Sequence, residues 1–122
     1  MPLLAILVED SAVIRDNLVV ALDELAGVQV FATADTAAEG IKLFEAHSSK
    51  WRLAIVDLFL KEGSGLTVLR ACRERRADQR VIVLTNYPTE EMRRRCEGLG
   101  ADALFDKSTQ LDAFLEKCRT YV

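Results

Sequence analysis

Five polar side chains stand where apolar runs of the sequence end. Glu9 and Asp10 follow the first run, and Asp57 follows the third. Thr85 closes the fourth run, and Lys107 follows the fifth. If these runs are parallel strands of one open sheet, their carboxyl ends share one edge, where such sheets bind their ligands. The spacing therefore predicts that all five side chains converge on one site.

The predicted site contains three carboxylates, and this decides its chemistry. Two carboxylates about 5 Å apart repel each other by roughly 3 kcal/mol at an effective dielectric constant near 20, so the site requires a cation. An all-oxygen set with open positions suits Mg²⁺, which keeps some of its waters and bridges carboxylates to a phosphate. One carboxylate is then a nucleophile toward phosphorus. Mg²⁺, the Lys107 ammonium and the Thr85 hydroxyl meet the charge of the phosphoryl oxygens.

The elements that position these residues alternate five times between short apolar runs and helical patterns. Such alternation is typical of a doubly wound α/β fold, with a parallel sheet between two helical layers. Right-handed crossovers place the third strand beside the first, in the order 2-1-3-4-5 of a flavodoxin-like α/β/α sandwich. The five strands are predicted over residues 3–8, 28–33, 53–56, 80–85 and 102–105.

Capping signals and apolar spacing predict five helices. The first begins near Ser11 and ends at Gly27, and the second begins at the capping residue Thr36. The third follows a glycine-rich turn, the fourth has Pro88 as an early helical residue, and the fifth begins near residue 109. The side chains expected to face inward on the first and fifth helices are Ile14, Leu18, Ala21, Leu22, Leu25, Leu111, Phe114, Leu115 and Cys118.

Length and composition predict one domain over residues 1–122, because a chain that is 50% hydrophobic and 29% charged is typical of a compact protein. The net charge of −3 gives no general attraction to nucleic acid. The first apolar run stops at Glu9 without a basic flank, which excludes a signal peptide or membrane span there. The three cysteines lack metal-like spacing and fall on apolar positions of predicted helices, which indicates reduced thiols buried in the core of a cytoplasmic protein. A solvated basic helix face is expected at Arg70, Arg73, Arg75, Arg76 and Arg80.

Five segments carry the polar residues and their surroundings: Val8-Glu9-Asp10, Ile55-Val56-Asp57-Leu58, Gly63-Ser64-Gly65-Leu66, Val83-Leu84-Thr85 and Gly100-Ala101-Asp102-Ala103-Leu104-Phe105-Asp106-Lys107. Together they resemble the receiver domain of bacterial two-component response regulators, over essentially the whole chain. The resemblance implies that Asp57 is the phosphoacceptor. It implies that Asp10, Asp57 and the main-chain carbonyl of Phe59 hold Mg²⁺, with Glu9 acting largely through water. It also implies that Thr85 and Lys107 contact the phosphoryl group.

The same resemblance implies the partners. The phosphodonor would be a sensor histidine kinase or a histidine phosphotransfer protein, and phosphorylation would switch partner binding. An output domain or target protein would bind at the fourth helix, fifth strand and fifth helix. The chain would be a signalling domain that catalyses only its own phosphorylation and dephosphorylation, with no direct nucleic acid or membrane contact. Val13 and Val20 lie off the inward stripe of the first helix and are predicted to contact the donor.

The sequence departs from the family pattern at three positions. Ser108 follows Lys107 where the family usually has proline, Leu104 stands where it often has an aromatic side chain, and Asn86 follows Thr85 where the residue is usually small. Strand alternation points the neighbouring Phe105 away from the face that Leu104 occupies. Phe59 and Tyr87 stand two residues after Asp57 and Thr85, at positions that border the phosphoryl group in the family. A long-lived phosphoryl group is predicted, because the Phe59 ring would block the approach of water and has no atom to orient it, whereas the Tyr87 hydroxyl would hold a water if its ring turned inward.

Two other functional classes share either the strand-end aspartate or the fold. A phosphohydrolase of the haloacid dehalogenase type carries a second Asp two residues after its nucleophile, but Ala12 and Phe59 stand at that spacing from Asp10 and Asp57. A pseudo-receiver would keep the fold and act as an interaction module without phosphorylation. Such a module normally lacks part of the polar group, whereas this chain has all five residues. The pseudo-receiver remains the alternative.

Overall fold

The computed structural model describes residues 2–122, whose strands form one parallel sheet in the order β2-β1-β3-β4-β5. The predicted order and flavodoxin-like architecture are confirmed. Observed strand ends lie within one residue of the predicted ones. The strands are β1 Leu3–Val8, β2 Val28–Ala34, β3 Leu53–Asp57, β4 Arg80–Thr85 and β5 Ala103–Asp106.

Five α-helices connect and follow the strands: α1 Ala12–Ala21, α2 Ala37–Ala46, α3 Gly65–Ala71, α4 Glu90–Gly98 and α5 Leu111–Arg119. A π-helical turn, Leu22–Ala26, continues α1 to Gly27, whose φ of 68° lies in the left-handed region that glycine adopts readily. The predicted N-caps at Ser11 and Thr36 are confirmed, since both side chains accept a main-chain N–H of their helix. Within residues 2–122, no helix has the length and apolar character needed to cross a membrane.

The predicted helical position of Pro88 is wrong. The Thr89 hydroxyl accepts the N–H of Met92 and caps α4, so the helix begins at Glu90 and Pro88 precedes the cap. A threonine side chain oxygen can satisfy an N–H of the first turn, whereas a proline side chain has no acceptor. The cap therefore decides where α4 begins.

Two apolar clusters cover the two faces of the sheet. Side chains of the central strands alternate between them: Ile6 and Val56 pack under α2, α3 and α4, whereas Leu7 and Ile55 pack under α1 and α5. Because both faces are covered, the central strands are nearly continuous apolar runs. The predicted burial of all three cysteines is also confirmed, and none forms a disulfide.

Three side chains predicted to face inward are instead partly exposed. Ile14, Leu25 and Leu111 have exposed fractions of 36%, 51% and 40%. Leu18 and Leu22 already fill the layer between α1 and the sheet. Ile14 and Leu111 lie in the first turns of their helices, beside the carboxyl edge of the sheet, and Leu25 lies in the π-helical turn. The wider hydrogen-bond pattern of that turn breaks the i, i+4 spacing on which the prediction depended.

Candidate functional site

The first strand pair brings two of the predicted carboxylates side by side. Val8 of β1 pairs with Val56 of β3, so the following residues, Glu9 and Asp57, leave the sheet next to each other. Both are buried, with exposed fractions of 2% and 6%. Asp10 lies beside them, and one carboxylate oxygen from each of the three residues lies within 4.8 Å of the others. This set can hold a metal ion.

Lys107 joins the group from the end of β5. Its Nζ donates to Glu9 Oε1 at 2.6 Å and to Asp57 Oδ2 at 3.1 Å. Its main-chain N–H donates to the carbonyl oxygen of Thr85, which ties it to β4. Two of the three carboxylates share the one ammonium group, and the site carries an excess of negative charge that a divalent cation would balance.

Burial opposes ionisation of the two groups at the centre of the site. Burial raises the pKa of Asp57 to about 6, since it outweighs the Lys107 charge that lowers it, and the charge of Glu9 adds to the rise. Burial also disfavours the ammonium form of Lys107, but its hydrogen bond to Glu9 and the charge of Asp57 prevail and raise its pKa. Lys107 therefore stays positively charged, and Asp57 is a carboxylate at neutral pH.

Thr85 lies at the end of β4, fully buried. Its Oγ1 accepts the main-chain N–H of Tyr87 at 3.1 Å. Among the described residues, no hydrogen bond joins its side chain to the Glu9–Asp57–Lys107 group. The strand places Thr85 at the predicted edge, where its main chain contacts Lys107 but its hydroxyl makes no hydrogen bond to the three charged side chains.

The mouth of the site has an apolar rim. Phe59 and Tyr87 are 51% and 60% exposed, and their ring centroids lie 4.9 Å apart in an edge-to-face arrangement. The opening that they border, together with the charged residues, has a volume of about 160 Å³. The Phe59 main-chain N–H lies 3.4 Å from Asp57 Oδ1. The two rings therefore stand beside the carboxylate, as the sequence predicts.

The loop after β3 passes close to Asp57. A Cβ atom at Gly65 would lie 2.2 Å from the main-chain oxygen of Asp57, so only glycine fits there. The Gly65 N–H donates to the carbonyl oxygen of Leu58. This close approach holds the Phe59 segment against the end of β3, next to the carboxylates.

A larger groove lies between α1 and α5 and reaches the site at one end. It has a volume of about 410 Å³. Leu18 and Leu115 form its buried floor, Ile14 and Leu111 form its partly exposed sides, and Lys107 lies where it meets the site. A partner that fills this groove would therefore reach the opening over Asp57.

Leu104 and Phe105 point to opposite faces of the sheet, as predicted. Leu104 is buried in the cluster under α4, with 6% exposed. Phe105 packs on the other face, edge-to-face with Phe114 at a centroid distance of 6.1 Å. No aromatic side chain of β5 therefore lies on the α4 side.

Two contributors to the site were missed in the sequence. The N–H of Ser11 donates to Glu9 Oε2, so the N-cap residue of α1 also orients a site carboxylate. Asp106 accepts hydrogen bonds from Ser108, on the far side of Lys107. An aspartate side chain often accepts the main-chain N–H two residues on, so Asp106 could have identified this loop as a turn.

The sequence of this chain is similar to known signalling proteins. The family model of the response regulator receiver domain matches residues 5–119. The photosynthetic apparatus regulatory protein RegA of Cereibacter sphaeroides is 45% identical over 58 residues. That alignment covers 48% of this chain and 30% of RegA, so this chain matches less than a third of that relative.

Two solved structures have similar folds. The complex of CheX, CheY, BeF3 and Mg²⁺ from Borrelia burgdorferi contains a chain with a TM-score of 0.87 and 20% identity, over 98% of this chain and 89% of that one. A response regulator from Burkholderia pseudomallei, solved with a phosphorylated aspartic acid, a calcium ion and citrate, has a TM-score of 0.80 and 27% identity. That match covers 97% of this chain and 67% of the other. At 20% identity the first likeness shows the fold alone.

Proposed function

The chain belongs to the response regulator receiver domain family, and from this premise we propose that it accepts a phosphoryl group on Asp57 from a phosphohistidine-bearing protein. The observation that carries the proposal is the contact of a buried Asp57 with Lys107, beside two further carboxylates at an open edge of the sheet. Phosphorylation then switches the binding of a partner. The chain thereby acts as a signalling domain rather than as an enzyme with a separate substrate.

The transfer is a displacement at phosphorus. A carboxylate oxygen of Asp57 attacks, an O–P bond forms, and the N–P bond of the phosphohistidine breaks. The electron pair of that bond leaves with the donor imidazole, which takes up a proton. Lys107, already 3.1 Å from Asp57, offers its ammonium charge to one phosphoryl oxygen, and the Thr85 hydroxyl serves another.

The donor set fits Mg²⁺. Carboxylates of Glu9, Asp10 and Asp57 lie close enough to share an ion, and hard oxygen ligands of this kind suit magnesium. Asp10, Asp57 and the main-chain carbonyl of Phe59 would hold it, with Glu9 acting through water. When bound, Mg²⁺ supplies positive charge for the phosphoryl oxygens. The phosphorylated aspartic acid of the Burkholderia pseudomallei regulator supports this chemistry in a related chain.

Acetyl phosphate tests the proposal without a protein donor. The chain is incubated with acetyl phosphate and Mg²⁺, and intact mass is measured. We expect one added phosphoryl group, which Asp57→Asn abolishes and Asp10→Asn slows severely. Asp16→Asn, which changes an exposed carboxylate of α1, is the matched control and should label like the wild type. Failure of the wild type to label would favour the pseudo-receiver instead.

We propose that the phosphodonor docks on α1 and in the groove between α1 and α5. Val13 and Val20 are 71% and 54% exposed on α1, and the groove sides are apolar. A sensor histidine kinase or histidine phosphotransfer protein that covers this surface would place its phosphohistidine over Asp57.

Val13→Asp should slow transfer from the cognate donor about tenfold, which is the expected effect of losing one good interface contact. Labelling by acetyl phosphate should not change, because it needs no docking. Unchanged transfer from the cognate donor would mean that another face docks it.

The output surface is proposed at α4, β5 and α5. A groove there of about 360 Å³ is bordered by Arg93, Leu104 and Lys117, so it offers both cations and an apolar floor to a target protein or output domain.

Buried, unpaired cysteines support a reducing compartment, the cytoplasm. The net charge of −3 supports a protein partner rather than nucleic acid at this domain.

A further inference from the structure

The loop that follows β5 holds Lys107 in a hydrogen-bonded turn. Asp106 Oδ1 accepts the main-chain N–H of Ser108 at 2.8 Å and the Ser108 hydroxyl at 2.6 Å. The aspartate side chain thus bridges over Lys107, which is the middle residue of the turn. A turn of this kind restricts the backbone of the residue that it encloses.

We propose that Asp106, acting through Ser108, is a positioning residue that aims the Lys107 ammonium at Asp57. The proposal rests on the phosphoryl transfer function put forward above. Asp106 does not pair with the ammonium, whose hydrogen-bond partners are Glu9 and Asp57. Its effect on the site therefore passes through the main chain of the turn.

The turn is fixed on both of its sides. On one side, the Lys107 N–H donates to the Thr85 carbonyl oxygen at 2.9 Å, which anchors the turn to β4. On the other, Gln110 closes the loop in two ways. Its Oε1 accepts the N–H of Asp106, and its own N–H donates to the Asp106 carbonyl oxygen, both at 2.9 Å. The segment between β5 and α5 is therefore held by hydrogen bonds at each end.

Serine at position 108 makes this hydrogen-bonded turn possible. Proline at this position would have neither an N–H nor a hydroxyl, and Asp106 would then have no donor at residue 108. Serine supplies both. The hydrogen bonds from Ser108 also lower the pKa of Asp106, so the acceptor carries its full charge at neutral pH. A charged acceptor forms stronger hydrogen bonds than a neutral one.

A lysine side chain needs such help. Its four-carbon stem carries about 2 kcal/mol of rotamer entropy, so an unrestrained backbone would let the ammonium group spread over many positions. Here Nζ must reach two buried carboxylates at once, at 2.6 and 3.1 Å. Fixing the main chain at Lys107 reduces the freedom that is lost when the ammonium group settles between them.

The test removes the acceptor and then restores it. Asp106→Ala deletes both hydrogen bonds to Ser108, whereas Asp106→Asn keeps an oxygen that can accept them. Labelling by acetyl phosphate with Mg²⁺ should slow about tenfold in Asp106→Ala, which is about 1.4 kcal/mol of barrier, and should stay within about twofold of wild type in Asp106→Asn. Asp112→Ala, which removes an exposed carboxylate of α5, is the control and should label normally.

A double variant separates positioning from folding. In a Lys107→Ala background, Asp106→Ala should cause no further loss of labelling rate, because the group that it positions is already gone. Wild-type labelling of Asp106→Ala, or an equal loss in the Lys107→Ala background, would overturn the inference. Neither result would affect the assignment of Asp57.

A readout that needs no phosphorylation completes the test. In the metal-free protein, the ¹⁵Nζ resonance of Lys107, assigned by its loss in Lys107→Arg, should be sharp in the wild type and Asp106→Asn. It should broaden in Asp106→Ala, because an ammonium group released from its two carboxylates exchanges protons with water faster. A resonance equally sharp in Asp106→Ala would contradict the role of the turn, whether or not the protein accepts a phosphoryl group.

Discussion

The amino ends and the carboxyl ends of the parallel strands form two opposite edges of the sheet, and each edge contains a network of charged side chains. The two networks are built differently. At the amino edge, before β4 and β5, Arg75 pairs with Asp102 at 3.0 Å. At the carboxyl edge, Glu9 and Asp57 share Lys107. Both networks hold a cation whose side chain is largely buried, so the difference between them lies in how the charges are compensated.

The amino-edge network is balanced and bonded to the main chain. Arg75 donates to the carbonyl oxygens of Cys72, Gln79 and Gly100 as well as to the carboxylate of Asp102. The same carboxylate accepts the N–H of Val81. One cation meets one anion, and the arginine joins the end of α3 to the loop before β5. This network stabilises the packing of these two segments.

The carboxyl-edge network is unbalanced and open. Three carboxylates face one ammonium group, and the charged groups bond to one another across an opening of about 160 Å³. Burial raises the pKa of Asp57 to about 6, which shows that this arrangement is costly for the fold by itself. A buried cation with balanced charge at the amino edge is a structural support, whereas unbalanced buried charge, as at the carboxyl edge, is the feature expected of a binding site.

The largest effect on stability is expected from removing Arg75 from the amino-edge network. Arg75→Ala should lower the free energy of unfolding by about 3 kcal/mol, because it removes the hydrogen bonds of one guanidinium group to three carbonyl oxygens and to the partly exposed Asp102 carboxylate. Denaturant unfolding measures the loss. Arg73→Ala, which removes an exposed arginine from the same loop, should cost little. Acetyl phosphate labelling well below the melting temperature should be unchanged, and a slowed reaction would mean that the two edges are coupled.

A smaller effect of opposite sign is expected at the carboxyl edge. In metal-free buffer at pH 7.5, Asp57→Asn should raise the free energy of unfolding by about 2 kcal/mol, because it removes a carboxylate whose pKa rises from 3.8 to about 6 on folding. The folded protein holds the Asp57 proton more tightly, so the wild type gains stability as pH falls from about 6 to 4. The advantage of the variant should therefore vanish near pH 4.

Chemical denaturation at several pH values in EDTA checks this linkage. Excess Mg²⁺ at pH 7.5 should reverse the ranking, since the ion stabilises only the protein that holds it. A pH-independent difference between Asp57→Asn and wild type would show that the carboxylate is not strained by burial. The contrast between the two edges would then lose its electrostatic basis.

The smallest effect concerns the lifetime of the phosphoryl group. Phe59→Asn and Tyr87→Ala should each speed hydrolysis about tenfold, or about 1.4 kcal/mol of barrier, because the ring pair keeps water from the site. Loss of label over time in Mg²⁺ is the measurement. Both rings are about half exposed, so the free energy of unfolding should change little. If neither substitution speeds decay, the rings do not control water access.

Much of the carboxyl edge could be predicted from the sequence. Strand order follows from the alternation of elements and the handedness of crossovers, and it brought Glu9 next to Asp57. The polar residues could be placed because parallel strands end at a shared edge. The exposure of Val13 and Val20 followed from helical spacing alone.

The amino edge could not be predicted in the same way. Arg75 was placed in a solvated basic face with its neighbours, yet its side chain is only 11% exposed. Its partners Gly100 and Asp102 lie 25 and 27 residues away, and helical spacing carries no information about them. Ile14 and Leu111 were misplaced for a related reason, since periodicity identifies the apolar face of a helix but not where the neighbouring layer ends.

Locating the phosphoryl group tests the assignment of Asp57 most directly. The protein is labelled with acetyl phosphate, treated with borohydride, which reduces an acyl phosphate to an alcohol, and digested for peptide sequencing by mass spectrometry. We predict homoserine at position 57 alone, and only after labelling in the presence of Mg²⁺. Reduction products at Glu9 or Asp10, or equal labelling of Asp57 without Mg²⁺, would contradict the account of the carboxyl edge as a magnesium-dependent phosphoacceptor site.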